Sequence, residues 1–256
     1  MNISIFGLGY VGAVTAGCLT KQGHNIVGVD VHPAKVESFN AGVPPILEPG
    51  LEDLLKSAKT KGLLRATQSW EDAIAHTEAS IVCVGTPSKV SGGLDLAFVR
   101  GVVEQIGDAL RKKTKSHVLI LRSTMLPGST AAITQELLSD LMVVRLLQVF
   151  YYPEFLREST AVADFENPSL AVVGTRDGTK PPAELMKALF GEKVAVVNWN
   201  TAEMVKYACN AFHAAKITLA NEIGRVGKQM GIDARTQNTA PSQRPIFALT
   251  TVSFFP

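Results

Sequence analysis

The sequence predicts an α/β fold: a Rossmann-like, doubly wound parallel sheet followed by a long α-helix. Three observations predict it. Short, near-continuous apolar and β-branched runs alternate with amphipathic stretches over the first two-thirds of the chain, the pattern of a parallel sheet covered on both faces. A Gly7-x-Gly9-x-x-Gly12 motif joins the first run to the first helical stretch. A Pro-free stretch, Thr201 to Met230, follows the last run with apolar residues at helical spacing.

The elements follow in order. Asn2 to Gly7 reads as a buried strand, Tyr10 to Gln22 as a helix and Asn25 to Asp30 as a second strand. Ala79 to Gly85 and His117 to Arg122 are further strands, with a helix over Asp95 to Lys113 between them. Shorter strands are expected at Leu170 to Gly174 and Lys193 to Val197. Thr201 to Met230 reads as one helix of roughly eight turns, closed by Gly231. Its Val205, Ala208, Phe212, Ala215, Leu219, Ile223, Val226 and Met230 fall within one arc of about 80°. A helix this long after an α/β domain joins domains or subunits. We therefore expect a dinucleotide-binding domain over 1–198, a central helix over 199–231, and a tail over 232–256. The tail is polar and Pro-broken, then apolar without period, as if it had nothing to pack on.

Composition narrows the function. The chain has 256 residues, 46% apolar and 19% charged, an ordinary globular balance. A net charge of +2 argues against nucleic acid or an anionic membrane as partner. Cys18, Cys83 and Cys209 lack CxxC spacing, so neither a disulfide framework nor a metal site is expected, and a reducing cytoplasm fits. No basic region precedes the first apolar run, unlike a signal peptide. The most lipophilic run, Leu141 to Tyr152, is interrupted by Arg145 and Gln148 and is short of the about 20 residues a membrane span needs.

The glycine motif carries the first chemistry. Gly7 permits the tight turn, Gly9 lets the backbone approach a pyrophosphate, and Gly12 lets helix and strand pack closely. Tyr10 and Val11 open the helix, whose free N–H groups would face the anion. Asp30, 21 residues beyond Gly9, is placed to accept from a ribose hydroxyl, which favours NAD over a 2′-phosphorylated cofactor. Lys35 is within reach of the adenosine side. Thr86 and Thr124 lie at later strand ends, where open parallel sheets bind ligands; ordinary turn chemistry is an equal reading. On the long helix, Lys206, Asn210, His213 and Asn221 form a polar stripe opposite the apolar one. An amine, two amides and an imidazole suit hydroxyl, carboxylate and phosphate recognition better than a solvated face does. Glu154 and Glu158 share a face if their segment is helical. They are candidates for a general base and a hydroxyl acceptor, or a plain acidic helix start.

Together, FGLGYVGAVTAGCL, ILEPGLEDLL, VGTPS, GGLDL, RSTMLPGST, PEFLREST and EMVKYACNAFHAAKITLANEIG resemble the nucleotide-sugar 6-dehydrogenase family over residues 1–231. HAAK after Asn210 resembles its GDP-mannose branch; a UDP-glucose 6-dehydrogenase fragment and a non-catalytic NAD-binding fragment are the alternatives. The resemblance implies oxidation of the sugar C6 alcohol to the carboxylate, with two NAD and no release of aldehyde, in alginate synthesis by a cytoplasmic homodimer built on the long helix. It implies that Tyr10, Val11, Asp30, Lys35, Thr86 and Thr124 bind NAD. Glu158, Lys206, Asn210, His213 and Asn221 would contact GDP-mannose. Lys206 and Asn210 would stabilise developing negative charge, while Thr124 and Glu154 would position water or move a proton. Two departures stand out. The family's cysteine nucleophile, in a Gly-Gly-x-Cys motif beyond the long helix, is missing from this chain. Its absence implies impaired catalysis by a truncated enzyme. Ser139 to Tyr152 also departs from the family pattern, as a shifted reading frame would make it.

Overall fold

A computed structural model describes residues 1–191 and 193–231. The expected tail, 232–256, lies outside the described residues. The chain divides into two compact units, Met1–Tyr207 and Ala208–Pro256.

The first unit is built on one eight-stranded sheet. Its strands are β1 (Asn2–Phe6), β2 (Asn25–Val29), β3 (Leu64–Thr67), β4 (Ala79–Val82), β5 (His117–Leu121), β6 (Leu147–Tyr151), β7 (Val172–Thr175) and β8 (Ala195–Asn198). Between them lie α1 (Tyr10–Lys21), α2 (Pro33–Asn40), α3 (Leu51–Thr60), α4 (Trp70–Ala75), α5 (Ala97–Leu110), α6 (Ser129–Leu137), α7 (Ser139–Val143), α8 (Ala161–Glu166) and α9 (Ala183–Leu185). A π-helical turn, Met186–Phe190, continues α9, and α10 (Trp199–Gln229) follows β8. The strand order is β3-β2-β1-β4-β5-β6-β7-β8. All pairings are parallel except β6–β7, which meets antiparallel at Tyr151 and Gly174. The order reverses between β1 and β4, so a crevice opens beyond their carboxyl ends.

Strand alternation divides the core into two layers. Ile3, Ile5, Val118, Ile120 and Phe150 pack with α1, α3 and α8 on one face. Phe6, Leu119, Leu121, Val149 and Tyr151 pack with α4, α5 and α6 on the other. Both faces are covered, which is why the strands read as continuous apolar runs. The expected strands and helices all form, with ends shifted by a few residues. β6 has no counterpart in the sequence expectation. Gln148 and Arg145 break its apolar run, yet only Gln148 within the strand is exposed, while Leu147, Val149, Phe150 and Tyr151 are buried. The segment that departs from the family pattern thus still supplies an interior strand.

In the second unit α10 continues to Gln229, and Gly231 follows at φ +70°, the left-handed conformation that ends helices. Its Leu219, Ile223, Val226 and Met230 are exposed.

Candidate active site

The glycine turn has the shape its spacing predicts. Gly7 sits at φ +93° and its N–H donates to the Val29 carbonyl at 2.8 Å, tying the turn to β2. A Cβ on Gly12 would lie 1.9 Å from the Gly7 carbonyl oxygen, so α1 can pack here only without a side chain. A Cβ on Gly9 would meet nothing within 4 Å. Gly9 is also the N-cap of α1, makes no side-chain cap hydrogen bond, and is followed by a first turn without an acid. An open approach to uncapped helical N–H groups is what a pyrophosphate requires. Tyr10 and Val11 line the mouth of this turn, both half-buried.

Asp30 directly follows β2 and is buried. Its Oδ2 accepts from Leu8 N at 2.8 Å, its Oδ1 from His32 N at 3.0 Å, and Lys35 Nζ stands 3.5 Å from Oδ2. The carboxylate is fixed by backbone donors, and Oδ1, with one donor, keeps acceptor capacity. Lys35 and Asp30 are thus brought together. Tyr10 has a further attachment. Its hydroxyl donates to Glu48 Oε2 at 2.9 Å, with the Arg157 carbonyl at 3.1 Å. Burial and the Glu48 carboxylate hold this phenol well above its ordinary pKa.

At the next strand ends, the Thr86 hydroxyl donates to the Thr124 carbonyl at 2.9 Å, and Ser123 Oγ donates to the Val84 carbonyl at 2.6 Å. These bonds stitch the loops after β4 and β5 together. The acidic segment corrects one expectation. Glu154 and Glu158 do not share a helical face, because residues 152–157 are irregular and 158–160 form a turn. Ser159, at φ +70°, is one cause: a non-glycine left-handed residue interrupts helical geometry. Glu48 holds that turn by accepting from Ser159 N at 2.9 Å and Ala161 N at 2.8 Å. Glu158 is exposed, whereas Glu154 is half-buried.

Glu154 meets the long helix. Its Oε1 accepts from Lys206 Nζ at 2.8 Å and its Oε2 from Leu156 N at 2.7 Å. Lys206 Nζ also lies 5.2 Å from the Phe155 ring centroid, a favourable cation–π distance. Lys206 is 4% exposed. The sequence placed it on a polar stripe away from the apolar one. In the first unit, however, the buried face of α10 is Trp199, Ala202, Glu203 and Lys206. The amine is an interior group held by a carboxylate, not part of a solvated face. Asn210, His213 and Asn221 belong to the second unit, where all three are exposed on α10. A cavity of about 1040 Å³ is lined by Arg122, Tyr152, Glu154, Phe165 and Lys187, and by no residue of the glycine turn.

Burial pushes the Cys18 and Cys83 thiols up to about 12, which disfavours their thiolates at neutral pH. Cys209 is half-buried on α10. Among the described residues no group of His, Cys, Asp and Glu could hold a metal ion, and no helix is long and apolar enough to cross a membrane. Glu48 and Glu203 were not singled out by the sequence. Glu203 was discoverable, since it precedes Lys206 by three residues on a helix.

Comparison with known proteins adds a separate line. Residues 1–194 match the NAD binding domain model of the UDP-glucose/GDP-mannose dehydrogenase family, and residues 200–245 its central domain. The chain is 45% identical over 241 residues to GDP-mannose 6-dehydrogenase of Pseudomonas savastanoi pv. phaseolicola, covering 92% of this chain and 55% of that protein. It is 36% identical to the UDP-glucose 6-dehydrogenase AglM of Haloferax volcanii, covering 91% and 56%. A crystal structure of a ternary complex of GDP-mannose dehydrogenase from Pseudomonas aeruginosa superposes with a TM-score of 0.82 at 42% identity, covering 92% of this chain and 55% of that one. The chain spans about half the length of the curated relatives it matches.

Proposed function

The chain belongs to the UDP-glucose/GDP-mannose dehydrogenase family, and from that premise we propose that it binds NAD in the crevice beyond β1 and β4 and has the GDP-mannose 6-dehydrogenase site only in part. The observation that carries the cofactor is the uncapped start of α1 over an open Gly9, with the buried Asp30 at the end of the next strand. NAD supplies a hydride acceptor when bound. Gly7, Gly9, Tyr10, Val11 and Gly12 form its pyrophosphate turn. Asp30 would accept from the adenosine ribose, Lys35 would border it, and Thr86 and Thr124 would hold the nicotinamide half. Higher identity to GDP-mannose than to UDP-glucose dehydrogenases favours GDP-mannose as the sugar nucleotide.

Lys206 supplies the electrostatics of alcohol oxidation. An ammonium beside Glu154 would stabilise negative charge developing on the sugar C6 oxygen, with the Asn210 amide as a further donor. Glu154, already paired with Lys206, takes a proton or orients water together with Thr124. Glu158, His213 and Asn221 contact the nucleotide sugar. The second oxidation requires a thiolate, and neither Cys18 nor Cys83 provides one. We infer that turnover to the carboxylate by residues 1–256 is impaired. We place the family activity in alginate-type polysaccharide synthesis, in the cytoplasm, in a homodimer formed through α10.

The test is NADH formation, followed by absorbance, with GDP-mannose or UDP-glucose as substrate. This reading expects negligible turnover with either and preferential protection of the protein by GDP-mannose. Sustained formation of two NADH per sugar would overturn the impairment. Preferential protection by UDP-glucose would overturn the substrate assignment.

A further inference from the structure

We propose that Glu203 is a positioning residue that locks the loop carrying Thr124, on the cofactor side, to the helix carrying Lys206, on the sugar side. The proposal rests on the dinucleotide reading above. Glu203 is fully buried. Its Oε2 accepts from Gly128 N at 2.7 Å, and its Oε1 from Thr130 N and from Thr130 Oγ1, each at 2.7 Å. These donors form the start of α6, whose N-cap Gly128 sits at φ +91° and supplies no side-chain cap of its own. A carboxylate from another element therefore caps this helix and answers its positive end.

A local Ser or Asp would cap α6 at less desolvation cost. What a local cap cannot do is join the loop to α10. The loop before α6 carries Thr124, whose carbonyl accepts from Thr86, and Ser123, bound to Val84. Three residues beyond Glu203, on the same buried face, Lys206 is bound to Glu154. Thr86, Thr124, Thr130, Glu203, Lys206 and Glu154 thus form a hydrogen-bonded and covalently linked path across the strand ends. In a dinucleotide fold the adenosine half lies over β2 and the nicotinamide half beyond the switch point, toward β5. Loosening the α6 end should therefore disturb only the nicotinamide half.

The experiment compares NAD with ADP, titrated calorimetrically into wild type, Glu203→Gln and Thr130→Val. Glutamine turns an amide donor toward one of the three donors that Glu203 accepts from. Thr130→Val removes one of three bonds and is the milder variant if Glu203→Gln folds poorly. The proposal expects NAD affinity to fall about tenfold in Glu203→Gln, equivalent to about 1.4 kcal/mol, and two- to fivefold, roughly the worth of one hydrogen bond, in Thr130→Val. ADP affinity should stay unchanged in both. Unchanged NAD affinity in folded variants, or parallel losses for NAD and ADP, would overturn it. Wild type that binds neither nucleotide would instead overturn the dinucleotide reading, and the proposal with it.

Discussion

Asp30 and Lys206 show how burial decides what a charged side chain does. Asp30 is held by two backbone donors and Lys35, so its orientation precedes any ligand. Asp30→Asn should weaken NAD binding roughly ten- to a hundredfold, the scale of one charge-assisted hydrogen bond of about 1.5–3 kcal/mol, as read by calorimetry. Lys206→Ala leaves Glu154 with its carboxylate partly buried and its cation gone. Removing one partner of a buried pair costs about 3 kcal/mol or more, so the urea midpoint should drop markedly. Lys206→Met combined with Glu154→Gln should recover most of that loss. Asp30 was legible in the sequence because its signal is distance along the chain from the glycines. Glu48 was not, because its partners Tyr10, Ser159 and Ala161 stand far away in sequence, and only folding brings them to it. Lys206 was legible as chemistry and misplaced as environment: periodicity gives a face of α10, not what that face meets.

Elements impose their own constraints. Gly12→Ala would drive a Cβ to 1.9 Å from the Gly7 carbonyl, so α1 must move off β1. The variant should lose NAD binding and several degrees of Tm, measured by thermal melting with and without NAD. Across the opposite ends of β1, β4 and β5, Ser4 Oγ meets Ser80 Oγ at 2.7 Å, and Ser80 Oγ meets His117 Nε2 at 2.8 Å. Lys113 Nζ stands 3.3 Å from His117 Nδ1. An ammonium has only protons to give, so Nδ1 accepts and Nε2 keeps the imidazole hydrogen. Burial first, then the Lys113 charge, pushes the His117 pKa down to about 3. The folded chain keeps this ring neutral while the unfolded chain protonates it below about 6.5. Its contribution to stability is whole above that pH and is lost at about 1.4 kcal/mol per pH unit as pH falls toward 3. Denaturation of wild type and His117→Asn between pH 7 and 4 should show a shallower decline in the variant, so parallel curves would contradict the assignment. The apolar strands β1, β2, β4 and β5 were legible because both their faces are buried. β3 and β6 were not. Leu64–Thr67 has one buried residue in four, and the β6 run includes an exposed Gln148. Alternation and continuity both fail there.

For the whole molecule, the sheet order and the crevice follow from the succession of strands and helices, and the crevice fixes where a dinucleotide can lie. The chain spans about half the length of the relatives it matches, and burial holds the Cys18 and Cys83 thiols well above their ordinary pKa. Cofactor binding is therefore the property that residues 1–231 put most directly to the test. The most direct measurement is a calorimetric titration of NAD into the folded chain, repeated with Gly12→Ala. Saturable heat for one site per chain, lost in the variant, is the result predicted. Folded wild type that gives no NAD-dependent heat, or a Gly12→Ala variant that binds NAD as tightly as wild type, would contradict it.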